Sequence, residues 1–234
     1  NDLNTARERC SSAATTNTAS LCIAGVVYPG ASNQDVTENW NGTNWTEVND
    51  TNSSEGGRFG FGTPSAAVVA GGGMSGLNVT ETWNGTNWST SPQTLNTGRK
   101  DNEGGSSGTS TAGIIAGGNN GASYAQTELW NGSAWTEVND LNTARSGMML
   151  SGITTSALAA GGTPNPTASA TESWNGTNWT TTTSLPAQKR NGGATRTGGN
   201  TAALVFGGYY TAQQATTLEW NGAGASQTRT FTDS

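Results

Sequence analysis

The sequence predicts an all-β chain folded as a five-bladed β-propeller with four antiparallel strands per blade, and three observations carry that prediction. The first is the stretch Trp-Asn-Gly-Thr-Asn-Trp, intact at 40–45, 83–88 and 174–179, varied to Trp-Asn-Gly-Ser-Ala-Trp at 130–135 and degraded at 220–225. Its leading residues, Trp40, Trp83, Trp130, Trp174 and Trp220, lie 43, 47, 44 and 46 residues apart, a period that marks an array of supersecondary units. The second is a repeat of glycine, Gly25, Gly71, Gly117, Gly161 and Gly207, spaced 46, 46, 44 and 46 residues apart, which sets the same period independently. The third is composition: 32% hydrophobic residues and 34 glycines suit short strands with frequent turns rather than a helical core. The abundant Gly, Ser, Thr and Asn would also fit disorder, but 9 tryptophans at regular spacing argue against it. Five such units call for radial repetition, which protects strand edges that a flat stack would leave open.

A single domain, 1–234, divides into units 1–48, 49–91, 92–138, 139–182 and 183–234. Each begins with a lead-in loop ending in arginine (Arg7, Arg99, Arg145, Arg190); unit two has Glu55 there instead, with Arg58 three residues on. A weak strand rich in Gly, Ser and Thr follows. Next comes an apolar strand closing on glycine: Leu21 to Gly25, Ala67 to Gly71, Gly113 to Gly117, Ala157 to Gly161, Ala203 to Gly207. Four of these glycines are doubled, whereas the first copy reads Gly25-Val26. A variable loop leads to a third strand ending in Trp, and Asn-Gly then supplies the positive φ angles of a tight hairpin, of two residues or four. The fourth strand completes the unit. Unit five has Ala225 in place of the second Trp, its fourth strand is expected at Ser226 to Thr232, and the seam between first and last blades is expected to pack more loosely. Residues 1–7 repeat 139–145 residue for residue, so the chain reads as a segment of a longer or processed polypeptide.

The order arginine, apolar strand closing on Gly-Gly, third strand ending in an aromatic, turn, Trp, next arginine resembles the kelch repeat over essentially the whole chain. The resemblance implies a kelch-like propeller. The sequence departs from the family in having Trp where kelch repeats usually have Tyr, in very short repeats, and in five units where six or seven are common. Near-identical repeats rich in Thr, Asn and Gly also resemble kelch-like arrays of bacteriophage structural proteins.

Several chemistries are excluded. The net charge is −6 and Lys100 and Lys189 are the only lysines, so the basic footprint of a nucleic-acid binder is missing. No apolar run is long enough for a membrane-spanning helix. Histidine is absent, which removes Ser-His-Asp and Cys-His catalysis, histidine metal sites and the copper chemistry of kelch-fold oxidases related to galactose oxidase. Asp-box repeats of sialidase-type propellers are also absent. The glycine runs lack the Lys-Ser/Thr of a phosphate loop. Asp101-Asn102-Glu103-Gly104 comes nearest to a calcium loop but lacks the remaining ligand spacing. No enzymatic activity, cofactor or metal is expected. Cys10, aligned with Met148, and Cys22, aligned with Val68, Ile114, Leu158 and Leu204, read as small buried hydrophobes, with a cross-strand disulfide as the alternative.

Two sets of side chains stand out. Glu38, Glu81, Glu128 and Glu172 sit two residues before a third-strand Trp and Glu219 sits one before. Their shared period with Arg7, Arg99, Arg145 and Arg190 predicts one structural Glu–Arg ion pair per blade, with Glu81 the odd case. Nine Asn-x-Ser/Thr sequons, at Asn41, Asn44, Asn52, Asn78, Asn84, Asn87, Asn131, Asn175 and Asn178, fall mostly in the repeated turn and read as bare turns. The tyrosines break the repeat: Tyr28, Tyr124, Tyr209 and Tyr210 all lie in the variable loops 26–35, 72–79, 118–126, 162–170 and 208–215. Asn33, Gln34, Asn119, Asn120, Gln126, Asn165, Gln213 and Gln214 share those loops. In an antiparallel blade they emerge with the lead-in loops on one face, where rings stack on apolar surfaces and amides satisfy hydroxyls. The expected function is recognition of a glycan or protein receptor at a virion or extracellular surface. A structural or assembly spacer within a longer viral or surface protein is the alternative.

Overall fold

Each apolar run closing on glycine forms the second strand of its own four-stranded sheet. The structure, a computed structural model, describes residues 1–73, 77–100, 105–164, 166–196, 198–222 and 227–229, excepting the side chains of 167 and 227–229. Blade one holds Ser11–Thr16 (β1), Ala19–Val27 (β2), Ser32–Trp40 (β3) and Trp45–Val48 (β4). Blade two holds Phe59–Thr63 (β5), Ala66–Ala70 (β6), Thr80–Trp83 (β7) and Trp88–Thr90 (β8). Blade three holds Ser106–Thr109 (β9), Ala112–Ala116 (β10), Thr127–Trp130 (β11) and Trp135–Val138 (β12). Blade four holds Met149–Ile153 (β13), Ser156–Ala160 (β14), Thr171–Trp174 (β15) and Trp179–Thr182 (β16), with a 3₁₀ turn at Thr167–Ser169. Blade five holds Gly193–Ala194 (β17), Ala203–Phe206 (β18), Thr217–Trp220 (β19) and Gln227–Arg229 (β20). Every sheet is an antiparallel meander in chain order, and the five together form an all-β, five-bladed propeller.

The repeated turn has four residues, because Trp40 pairs with Trp45 across it. The Asn41 side-chain oxygen accepts the backbone N–H groups of Thr43 and Asn44, each at 2.9 Å, and Gly42 takes φ 93°. A short polar side chain that mimics a backbone turn, followed by a residue free of Cβ strain, is what this geometry requires. Asn84, Asn131 and Asn175 repeat the bonding.

In blades one to four the two indoles flanking the turn lie 5.2–5.4 Å apart, tilted by 41–45°. The leading indole donates to a carbonyl in its own blade's first hairpin, as Trp83 does to Pro64 at 2.9 Å and Trp174 to Thr154 at 2.8 Å. The trailing indole donates across the joint to a threonine of the preceding blade: Trp88 to Thr37 at 3.1 Å, Trp135 to Thr80 and Trp179 to Thr127, both at 2.9 Å. The core is therefore split among the joints. Phe59, Phe61, Ile115, Trp130 and Trp135 fill the one between blades two and three, and Ile114, Met148, Leu150, Trp174 and Trp179 the next. Trp40 and Trp45 of blade one are only half-buried.

The register corrects one alignment. Ala24, with φ 56°, occupies the left-handed site that glycine holds in the other blades, at Gly71 (65°), Gly117 (65°), Gly161 (68°) and Gly207 (62°). Blade one's doublet is thus Ala24-Gly25, and Cys22, paired with Glu38, corresponds to Val69, Ile115 and Ala159, which pair with the matching glutamates. Cys10 and Cys22 are free thiols. Strand β20 lies within the stretch expected for the last strand; residues 226 and 230–232 fall outside the described ones.

Candidate functional site at the variable-loop face

In blades two to four the base of the variable loop is tied to the next lead-in loop by the second glycine of the doublet. Gly72 donates its N–H to the Arg99 carbonyl at 3.2 Å, Gly118 to that of Arg145 at 3.0 Å and Gly162 to that of Lys189 at 2.8 Å. These bonds gather both kinds of loop at one end of the blades.

On that end, one left-handed backbone position recurs just before the innermost strands. Glycine holds it in blades two and four, at Gly57 (φ 67°) and Gly147 (φ 60°). In blade one it is Arg9 (φ 56°) and in blade five Asn191 (φ 54°). Asn tolerates this region; arginine does so only under strain, and strain of this kind clusters at functional sites. Arg9 and Asn191 face a shared concavity of about 550 Å³ at the seam between blades five and one, lined also by Glu8, Tyr209, Gln213 and Gln214. Arg9 also borders a second hollow of about 180 Å³ with Tyr28, Asn33 and Lys100. Tyr209 is 42% exposed and Tyr28 50%, so their rings are available to a ligand. The Arg190 guanidinium lies 5.3 Å from the centre of the Tyr209 ring, holding that ring by a cation–π contact.

The structure thus gathers Tyr209 with Gln213 and Tyr28 with Asn33, whose Nδ2 lies 3.5 Å from the Glu55 carboxylate. Tyr124, Asn119 and Asn120 belong to blade three and line neither hollow; Asn119 pairs through its backbone with Lys100, and the Tyr124 carbonyl accepts the Arg145 N–H at 2.8 Å. Tyr210 is half-buried, its N–H on the Ala212 carbonyl at 3.2 Å. Asn165 lies outside the described residues, as does the segment 101–104 that came nearest to a calcium loop. Glu8, Arg9, Asn191 and Lys100 were missed by the sequence reading. The available signal was the replacement of a repeat glycine by Arg9 and Asn191.

The buried glutamates each fasten a third strand to a lead-in loop. Arg7 Nη1 reaches Glu38 at 2.5 Å, Arg99 Nη2 reaches Glu128 at 3.0 Å and Arg145 Nη2 reaches Glu172 at 2.8 Å, with all these side chains out of solvent. The same carboxylates accept backbone and side-chain N–H groups of Asn4, Asn96 and Asn142. Glu81 finds its arginine too, because Arg58 reaches it at 2.8 Å from just before β5. Burial alone would raise the Glu38 carboxyl; hydrogen bonds from Asn4 and Arg7 outweigh that and hold it below its ordinary value. For Glu81, the Arg58 charge and the Ser53 hydroxyl outweigh burial in the same way.

Blade five requires a correction. Arg190, expected in an ion pair, makes none among the described residues and instead lies against Tyr209. The buried cation there is Lys189, which donates to the Gly207 carbonyl at 3.0 Å and the Thr216 hydroxyl at 2.6 Å. Burial lowers the pKa of its ammonium. The physical reason is register: Leu218 stands where the other blades place the glutamate that fastens the lead-in loop.

No family model matches the chain, and no curated protein matches it either. No described helix is long and apolar enough to cross a membrane.

Proposed function

We propose that this chain is a non-enzymatic, kelch-like recognition module that binds a glycan at the variable-loop face, acting at a virion or extracellular surface of the phage kind. One observation supports this reading above the rest: exposed Tyr209, steadied by Arg190, stands beside Gln213, Arg9 and Asn191 in the concavity of about 550 Å³. A ring offers an apolar stacking face to a sugar, and amides with guanidinium groups satisfy its hydroxyls. Glycan-array binding by the full chain is the test, with Tyr209→Ala as the comparison. The expected outcome is a defined set of hits that weaken about tenfold or more in the variant, with its melting temperature unchanged because the ring is exposed. An array without hits, or hits indifferent to Tyr209→Ala, sinks the reading.

The second reading, a structural or assembly module within a longer viral or surface protein, draws on the half-buried indoles Trp40 and Trp45 at the edge of blade one. Particle assembly that needs the chain, together with an absence of glycan binding, would favour it.

A further inference from the structure

The innermost strands leave a cavity of about 270 Å³ on the propeller axis, bordered by Arg196 and Arg58 together with Ser11, Ser12 and Ser106. No Asp or Glu lines it among the described residues, although the chain carries 16 acidic side chains against 10 basic ones. Arg196 projects across the axis: Nη1 donates to the Gly60 carbonyl at 2.9 Å and Nη2 to the Ser12 hydroxyl oxygen at 2.6 Å. Both partners are neutral, and among the described residues Arg196 makes no ion pair. Ser12 accepts in that bond, so its own hydroxyl proton remains free to donate. Arg58 contributes its main chain to that border: its carbonyl accepts the Ser11 hydroxyl at 2.7 Å, while its side chain is out of solvent with Nη1 on Glu81.

One guanidinium with no carboxylate partner among the described residues therefore borders this space. A cation drawn out of water without counter-charge is costly, and the planar fork of arginine fits an oxyanion. We propose that this axial cavity is a binding site for a small oxyanion of the sulfate and phosphate class, held by Arg196 with help from the Ser12 hydroxyl. Burial lowers the pKa of the Arg196 guanidinium, a penalty that a bound anion offsets. The site is separate from the tyrosine concavity and does not depend on the recognition reading.

The test is calorimetric titration of the full chain with millimolar sodium sulfate and sodium phosphate against sodium chloride at matched ionic strength. One saturable site is expected for the oxyanions and none for chloride, with a melting temperature that climbs as the logarithm of oxyanion concentration above Kd. Arg196→Gln is expected to weaken binding about tenfold or more, the effect of losing a charged partner. Arg196 also joins blades, so Ser12→Ala, which keeps the guanidinium and removes one donor, serves as the second variant. It is expected to weaken binding about threefold or more with an unchanged circular dichroism spectrum, and it decides the matter if Arg196→Gln does not fold. An absence of saturable oxyanion binding, an equal response to chloride, or sulfate affinity unchanged in the folded variants overturns the proposal.

Discussion

A buried carboxylate that accepts N–H groups from a backbone, an amide and a guanidinium is the smallest fastening in this molecule. Glu38 has its pKa held below the ordinary 4.5 by such partners, and Glu81 likewise with the Ser53 hydroxyl in place of the amide. A carboxylate with a depressed folded pKa contributes stability that is fully present above its unfolded value and lost as pH falls through the folded one. The melting temperature should therefore be steady from neutrality down to about pH 5 and fall steeply below the ordinary carboxylate range. Glu38→Gln should flatten part of that acid limb while lowering stability at neutral pH by about 3–5 kcal/mol, because it leaves Arg7 uncompensated. A limb of unchanged slope in the variant would show that Glu38 is not part of it. The pairs of Arg7, Arg99 and Arg145 were legible in the sequence because cation and carboxylate share one period. Arg190 misled because it is the nearest arginine to a position that Lys189 fills, and only the strand register distinguishes the two.

At the scale of the element, the paired indoles of blades one to four make each of those hairpins a wedge between neighbours. Trp130 is 2% exposed, packs beside Phe59, Phe61 and Ile115, and donates to Ser110 at 2.9 Å, so Trp130→Ala should cost about 3–5 kcal/mol. Trp45 is half-buried and among the described residues makes no threonine bond like those of Trp88, Trp135 and Trp179, so Trp45→Ala should cost less than half as much. Denaturant melts of both variants check the ranking, and equal losses would contradict a seam that is looser than the other joints. The hairpins, their period and their strand order could all be read from Trp-Asn-Gly-Thr-Asn-Trp. Its turn length could not, since Asn-Gly serves short and long turns alike and the Trp40–Trp45 pairing decides it. Ala24 was misplaced for a related reason: a left-handed backbone leaves no mark on a sequence when alanine adopts it.

For the molecule as a whole, regularity runs out in blade five. Its innermost strand, β17, has two residues, against four to six in the innermost strands of the other blades, and among the described residues Lys189 makes no ion pair there. Amide hydrogen exchange should show β17 and β18 opening at lower free energy than β10 and β14, because local opening follows the density of buried bonds. Uniform protection around the ring would contradict this. The candidate site sits at the same seam, and part of it was legible: the tyrosines stood out because they break the repeat, which led to Tyr209 and Gln213. Glu8, Arg9 and Asn191 stayed hidden because their role depends on backbone angles and on which blades end up adjacent.

The reach of Arg196 to Ser12 and Gly60 has one more consequence. Joint packing acts only between adjacent blades. A guanidinium from the last repeat that meets both the first and the second at the hub braces the closure of the ring across three blades.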